Sequence, residues 1–273
     1  MSVNEKMTTI ANKIRSYTKE TDRLSLDEIP TKIDRCRDIG FENGVLKGEE
    51  DGRYAQYKEF WNSYLSGLSN YGQAKRAFGS RGWNNKTFKP PIGTTLNPVN
   101  AELYFAEANI TDLRGILKER NVTLDLSKMQ YCAQFAYYST ITNFPVIDMT
   151  SVTNRTSMFE GCSKMVTIEK LNFGNKTTAN TSMFNGCTAL KNIVIEGVIA
   201  TTISFSSSPL TKDSITSIVN ALSTTATGKT LTLKKTAVNE AFGIDVDDET
   251  TYPEGSKFYE LRHSKDNWTF SYA

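Results

Sequence analysis

Thr156-Ser157-Met158-Phe159-Glu160-Gly161-Cys162-Ser163-Lys164-Met165 returns as Thr181-Ser182-Met183-Phe184-Asn185-Gly186-Cys187-Thr188-Ala189-Leu190. Two decapeptides sharing Thr-Ser-Met-Phe and Gly-Cys at the same offsets are copies of one structural unit, since self-similarity at a fixed period marks repeat architectures. Around them the alternating runs Leu124-Asp125-Leu126-Ser127, Ile147-Asp148-Met149-Thr150 and Leu171-Asn172-Phe173-Gly174 recur about 24 residues apart, a spacing that repeat units use. A further strand is predicted at Ile193-Val194-Ile195, and Phe135 is expected to hold the Phe159 place in an earlier, degenerate copy. One unit alone cannot bury its apolar edge, whereas stacked units make a continuous core. The repeat logic predicts a solenoid over residues 109–222, with a buried Met-Phe pair per unit and Cys162 and Cys187 packed inside as small apolar thiols.

Outward from the repeats, Thr211-Lys212-Asp213 predicts a helix start followed by the apolar stripe Ile215, Ile218, Val219 and Leu222. Leu231-Thr232-Leu233 and Asn267-Trp268-Thr269-Phe270-Ser271-Tyr272 alternate like strands, so residues 223–273 are expected to cap the array. Residues 70–108 carry Gly72, Gly79, Gly82, Pro90, Pro91, Gly93 and Pro98, punctuation that ends helices, and are read as an ordered linker in which Trp83 and Phe88 dock. Residues 1–69 have helical spacing: Met7, Ile10, Ile14 and Tyr17, then Ile33, Cys36 and Ile39, then Tyr54, Tyr57, Trp61, Tyr64, Leu65 and Leu68.

Inside that stretch Gly40, Gly44, Gly48 and Gly52 recur every fourth residue, each costing about 1 kcal/mol of helix propensity relative to alanine. The stripe has two readings. A side-chain-free face lets another helix approach closely, which makes the stripe, with Ile33 and Trp61, a candidate homo-oligomerisation surface, a trimer being expected. Alternatively the glycines mark a broken helix and a loop between two shorter helices. The fold class expected from these parts is α+β: an N-terminal helical stem, coiled-coil in character, then a short leucine-rich-repeat solenoid with a C-terminal cap.

Lys and Arg number 32 against 30 Asp and Glu, a formal charge of +2, so there is no broad cationic field to hold a polyanion and nucleic acid is not an expected partner. The apolar share is 38%, which suits a thin, surface-rich domain. The first residues, Met1-Ser2-Val3-Asn4-Glu5-Lys6, lack the charge and apolar run of a secretory signal and no stretch approaches a membrane span, so cytosolic synthesis without membrane insertion is expected.

No constellation points to catalysis. The sole histidine, His263, lies among Arg262, Lys265 and Asp266 without a nucleophile and base in sequence proximity. Asp245, Asp247, Asp248 and Glu249 lack the glycine-centred calcium-loop pattern and read as a solvated turn. Cys36, Cys132, Cys162 and Cys187 include no closely spaced pair of the metal-binding kind. No cofactor or metal is therefore expected, and the chain is read as not an enzyme. Tyr131, Tyr137 and Tyr138 are expected chiefly to fill the solenoid core, with a receptor-contacting, sugar-stacking platform as the other reading.

Val152-Thr153-Asn154 with Met158-Phe159-Glu160-Gly161-Cys162, and Met183-Phe184-Asn185-Gly186-Cys187 with Leu190, resemble the BspA-like leucine-rich repeats of bacterial surface proteins and of phage and prophage proteins. Ile10-Ala11-Asn12-Lys13-Ile14-Arg15, Leu26-Asp27-Glu28-Ile29-Pro30-Thr31-Lys32-Ile33, Phe60-Trp61, Gly82-Trp83 and Ile110-Thr111-Asp112-Leu113-Arg114-Gly115-Ile116-Leu117 are similar to segments of tail-associated structural proteins of phages of Gram-positive hosts. The acidic insertion at 245–249 departs from that pattern. The resemblance implies a virion structural protein, a tail or baseplate component that contacts other virion proteins and a host surface glycan or protein. It leaves two other roles open: a purely architectural virion protein such as a head fibre, decoration protein or tail connector, or a bacterial surface repeat adhesin. An adhesin needs export, so the absence of a signal favours the virion.

Overall fold

The computed structural model describes residues 92–273 together with Phe78, Phe88 and Pro90. The expected stem, with Ile33, Gly40, Gly44, Gly48, Gly52 and Trp61, lies outside the described residues, as do Cys36 and Trp83.

The repeated decapeptides build turns rather than helices. Four turns, 100–108, 131–139, 154–162 and 179–187, are joined by amides of one to carbonyls of the next: Ala101, Leu103, Phe105 and Glu107 donate to Tyr131, Ala133, Phe135 and Tyr137 at 2.7–3.1 Å. Cys132, Gln134, Ala136 and Tyr138 donate onward to Asn154, Thr156, Met158 and Glu160, and Ser157, Phe159 and Gly161 to Thr181, Met183 and Asn185. The intervening amides close short bonds inside their own turn, such as Phe135 to Cys132 and Cys162 to Phe159, so the backbone of this segment is largely satisfied without a helix. The conformation needs left-handed residues at two places per turn. One set is Leu103, Gln134, Ser157 and Ser182, with φ between 52° and 57°; the other is Glu107, Tyr138, Gly161 and Gly186.

This register corrects one expectation and adds a turn to the stack. Ala136, not Phe135, stands in the Phe159 position, because Ala136 donates to the Met158 carbonyl as Phe159 donates to that of Met183; Phe135 aligns with Met158. The turn at 100–108 also belongs to the stack, so the expected linker, 70–108, ends inside ordered structure whose Ala101, Tyr104, Phe105 and Ala108 are buried.

The strands are short and all pair in parallel. β1 (Thr95–Leu96) pairs with β2 (Thr123–Leu124); β3 (Asn143–Asp148), β4 (Thr167–Asn172) and β5 (Asn192–Glu196) form a second sheet; β6 (Ile203–Phe205), β7 (Lys229–Leu233) and β8 (Trp268–Tyr272) form a third. Phe144, Ile168 and Ile193 lie in register and point inward, as do Ile147, Leu171 and Ile195. β4 spends one more residue than β5 between those two rows, which is the irregularity in their pairing. The rings of Phe159, Phe184 and Phe205 stack at 5.5 and 4.5 Å, tying the turns to the third sheet. That sheet is built from strand-helix-strand crossovers: α2 (Lys212–Ala221) leads to β7, and α3 (Lys235–Phe242) and α4 (Lys257–His263) precede β8. The remaining helix, α1 (Leu113–Glu119), is capped by Asp112, whose carboxylate accepts from the Gly115 amide.

The expected class, a helical stem followed by a leucine-rich-repeat solenoid and a cap, is therefore corrected. The described residues are rich in short parallel strands in three separate sheets, with four short α-helices, and hold no continuous solenoid. The physical reason lies at the edge of β5. Ser214 and Ser217 of α2 accept hydrogen bonds from the Ile193 and Ile195 amides at 2.9 and 2.8 Å, so a helix occupies the place of the next strand and ends the ladder.

Candidate functional site

The stacked turns place two columns of side chains side by side. In one column Ala106, Tyr137, Glu160 and Asn185 follow each other; in the next stand Glu107, Tyr138, Gly161 and Gly186, an order set by the amide ladder. Tyr137 and Tyr138 meet edge to face with ring centres 4.6 Å apart, a favoured arrangement of aromatic quadrupoles. Tyr138 keeps 57% of its surface exposed, which corrects the expectation that these tyrosines fill the core; Tyr137 is half-buried. Tyr131 belongs to the same turn but to another column, bridged to Asn100 and Asn154, so the structure joins two of the three candidate residues and sets the third apart.

Gly161 explains how Tyr138 lies. A Cβ on Gly161 would stand 2.7–2.8 Å from three atoms of the Tyr138 ring, and the glycine φ is +75°. The ring thus rests on a backbone that has no side chain, and alanine there would meet both the ring and a strained φ. Beyond it Gly186 repeats the conformation, its Cβ position 3.4 Å from the Gly161 backbone. The result is two glycine backbones in adjacent turns, the first of them covered by an aromatic ring.

Around the ring pair the groups are polar. Asn185 Nδ2 donates to Glu160 Oε1 at 3.3 Å, and Glu107 is exposed in the turn that precedes Tyr138. The Tyr137 hydroxyl is pushed above the ordinary phenol value, first by desolvation and then by Tyr138 and the carboxylates of Glu160 and Glu107. The patch brings together a ring face, the carboxylates of Glu107 and Glu160 and the Asn185 amide.

Other candidates lie elsewhere in ordinary structural roles. His263 ends α4, its Nδ1 2.9 Å from the Tyr259 carbonyl and its ring stacked on Tyr259 at 3.9 Å. Asp245, Asp247, Asp248 and Glu249 are exposed; Asp245 and Asp248 accept from nearby backbone amides, and Asp247 pairs with Lys235. Among the described residues no group of three His, Cys, Asp or Glu could hold a metal ion, and no helix is long and apolar enough to cross a membrane. Cys132, Cys162 and Cys187 are buried free thiols. Cys162 Sγ donates to the Ala136 carbonyl at 2.9 Å, and burial pushes its thiol up to about 12.

Reading the sequence without a register missed Glu107, Glu160, Gly161 and Asn185 as neighbours of the tyrosines. The signal was present as the offset between copies, since Tyr138 and Gly161 share one place in successive turns. The chain matches no family model, no curated protein and no solved structure.

Proposed function

We propose that this chain is a structural protein of a phage virion, a tail or baseplate component that presents the turn stack outward for host attachment, and that it acts by binding rather than catalysis. The observation that carries the reading is the exposed Tyr138 ring, held on Gly161 within a polar patch on an otherwise apolar-cored stack of turns. Tyrosine is among the residue types enriched at recognition surfaces, because its ring buries apolar area while its hydroxyl stays wet. The resemblance of the decapeptides to BspA-like repeats and of the first third to tail-associated proteins supplies the particle context. In that reading the glycine stripe Gly40, Gly44, Gly48 and Gly52 joins copies of the chain as a homo-oligomer, a trimer in our reading, and contacts other virion proteins.

The test is direct. Mass spectrometry and immunogold labelling of purified particles should find the chain at the tail tip or baseplate. Free protein should compete with particles for adsorption to host cells. Labelling confined to heads would replace attachment with a decorative role, and absence from particles would overturn the virion reading.

A further inference from the structure

We infer that the outer edge of β8 (Trp268–Tyr272) is a docking edge for a second copy of this chain, the two β8 strands pairing antiparallel so that two three-stranded sheets become one. The inference goes beyond the attachment reading above and does not depend on it.

Three observations carry it. First, the hydrogen bonds fix which backbone groups are free. The Ala273 amide donates to the Leu233 carbonyl at 3.0 Å, and the Ala273 carbonyl accepts from the Lys235 amide at 2.8 Å, so Ala273 faces β7. Backbone groups alternate in direction along a strand, and Thr269 and Ser271 therefore face β7 as well. The amides of Phe270 and Tyr272 and the carbonyls of Trp268 and Phe270 point the other way, where β8 has no neighbouring strand among the described residues. The Trp268 amide is already taken by the Lys265 carbonyl. The edge of β5 is different, because two serines of α2 accept from its amides.

Second, the apolar rows of the sheet run off this edge unfinished. Ile203, Leu231 and Phe270 lie in register across β6, β7 and β8; the first two are buried and Phe270 is only half-buried. The next row, Phe205, Leu233 and Tyr272, ends in the same way. One more strand would complete both. Proteins guard an open edge with charges, proline or a bulge. Trp268-Thr269-Phe270-Ser271-Tyr272 carries no charge and no proline, and its pairing with β7 has no shift in register.

Third, β8 is complementary to itself. A two-fold axis through Phe270, perpendicular to the sheet, sets each Phe270 opposite its own copy and each Tyr272 opposite Trp268. Both Phe270 amides then donate to the opposite Phe270 carbonyl, and both Tyr272 amides to the opposite Trp268 carbonyl, as antiparallel pairs do. Both free donors of the edge are used, and all five residues overlap. Aromatic side chains face each other across the strands, which stabilises a pair, and no like charges are opposed. A second copy supplies donor, acceptor and apolar row in one register by symmetry.

The experiment uses the full chain, isotope-labelled, and follows hydrogen exchange of the Phe270 and Tyr272 amides by NMR over a concentration series, with mass from light scattering. Exchange at both amides should slow at least about tenfold from the dilute to the concentrated end as the copies pair. Thr269→Glu with Ser271→Glu sets like charges opposite each other across the axis, since Thr269 faces Ser271 there. Thr269 is exposed and Ser271 half-buried, on the face away from the apolar rows. This variant should lose the slowing and melt in dilute solution within a few degrees of wild type. Thr269→Lys with Ser271→Lys should behave alike, and an equal mixture of the two variants should regain protection because Glu then faces Lys. Self-association through the glycine stripe would raise the mass without pairing these two amides, so the two contacts are read separately. Exchange that stays fast at every concentration, protection in the Glu variant equal to wild type, or no recovery on mixing would each overturn the pairing. Where a variant fails to fold, the wild-type concentration series decides alone.

Discussion

The guanidinium carbon of Arg155 stands 4.7 Å from the centre of the Phe173 ring, and both side chains are fully buried. Nη2 donates to the Thr178 carbonyl at 2.6 Å, while Nε and Nη1 meet no hydrogen-bond partner in the protein. Among the described residues no ion pair includes Arg155. Its column holds Cys132 and Asn180, whose thiol and amide are neutral. Burial pulls the guanidinium down to about 10, a sign that the charged form is held against its preference. A ring face and one carbonyl offset only part of that desolvation.

Arg155→Met should therefore leave stability unchanged or raise it by about 1 kcal/mol at pH 7, because methionine has a similar length and no charge to bury. Arg155→Ala should lower it by roughly 2–4 kcal/mol through the cavity it leaves. Thermal and urea unfolding of the two variants decides the matter. A methionine variant clearly less stable than wild type would mean that the contacts to Phe173 and Thr178 outweigh the cost of burial.

The buried thiols set an alkaline limit. Cys162 is pushed up to about 12 from 9.0 by burial, and Cys132 and Cys187 move in the same direction for the same reason. These acids hold their protons more firmly when folded. Their contribution is complete below the unfolded value near 9 and is lost as pH rises toward the folded one. Each such thiol should cost about 1.4 kcal/mol per pH unit in that window. The slope of stability against pH between 9 and 11 should fall when Cys162 and Cys187 are both replaced by alanine. An unchanged slope would place the alkaline sensitivity elsewhere.

Gly197 has φ +78°, and a Cβ there would come within 2.6 Å of Gly174 N and O. Gly228 has φ +62° and open space around the same position. Gly228→Ala should cost only the left-handed strain, about 1 kcal/mol. Gly197→Ala must also push one backbone segment off another and should cost more, by at least 1 kcal/mol. Equal melting temperatures for the two variants would show that the contact at Gly174 yields freely.

The stack of turns was legible where its signal is local and repeated. Met158, Phe159, Met183 and Phe184 are buried because the copies share one register, and the stripe of Ile215, Ile218 and Val219 became the buried face of α2. What was not legible depends on contacts across the chain. Ala136 stands where Phe135 was expected, and composition alone gives no means to choose between adjacent residues when one of them must be the smaller. The tyrosines look apolar enough for the core, yet the left-handed φ of 52° at Tyr138 turns that side chain out over Gly161. The end of the ladder was equally hidden, since serine hydroxyls at Ser214 and Ser217 have no periodic signature.

Those two serines carry the last prediction. The amides of Ile193 and Ile195 on β5 donate to their hydroxyls, and Ser214 Oγ in turn donates to the Lys191 carbonyl at 3.0 Å. Ser214→Ala with Ser217→Ala keeps the volume of α2 almost unchanged and leaves its helix propensity equal or better. It removes the two acceptors and, with Ser214, the donor to the Lys191 carbonyl. Two strand amides at a covered edge then lack partners, at about 1–3 kcal/mol each, and β5 becomes an edge with free donors that another strand can use. The double variant should melt lower than either single variant, exchange the Ile193 and Ile195 amides faster than wild type, and form dimers or larger species as concentration rises. Unchanged exchange at both amides, with unchanged stability, would mean that α2 covers β5 by packing alone and that its serines do not end the ladder.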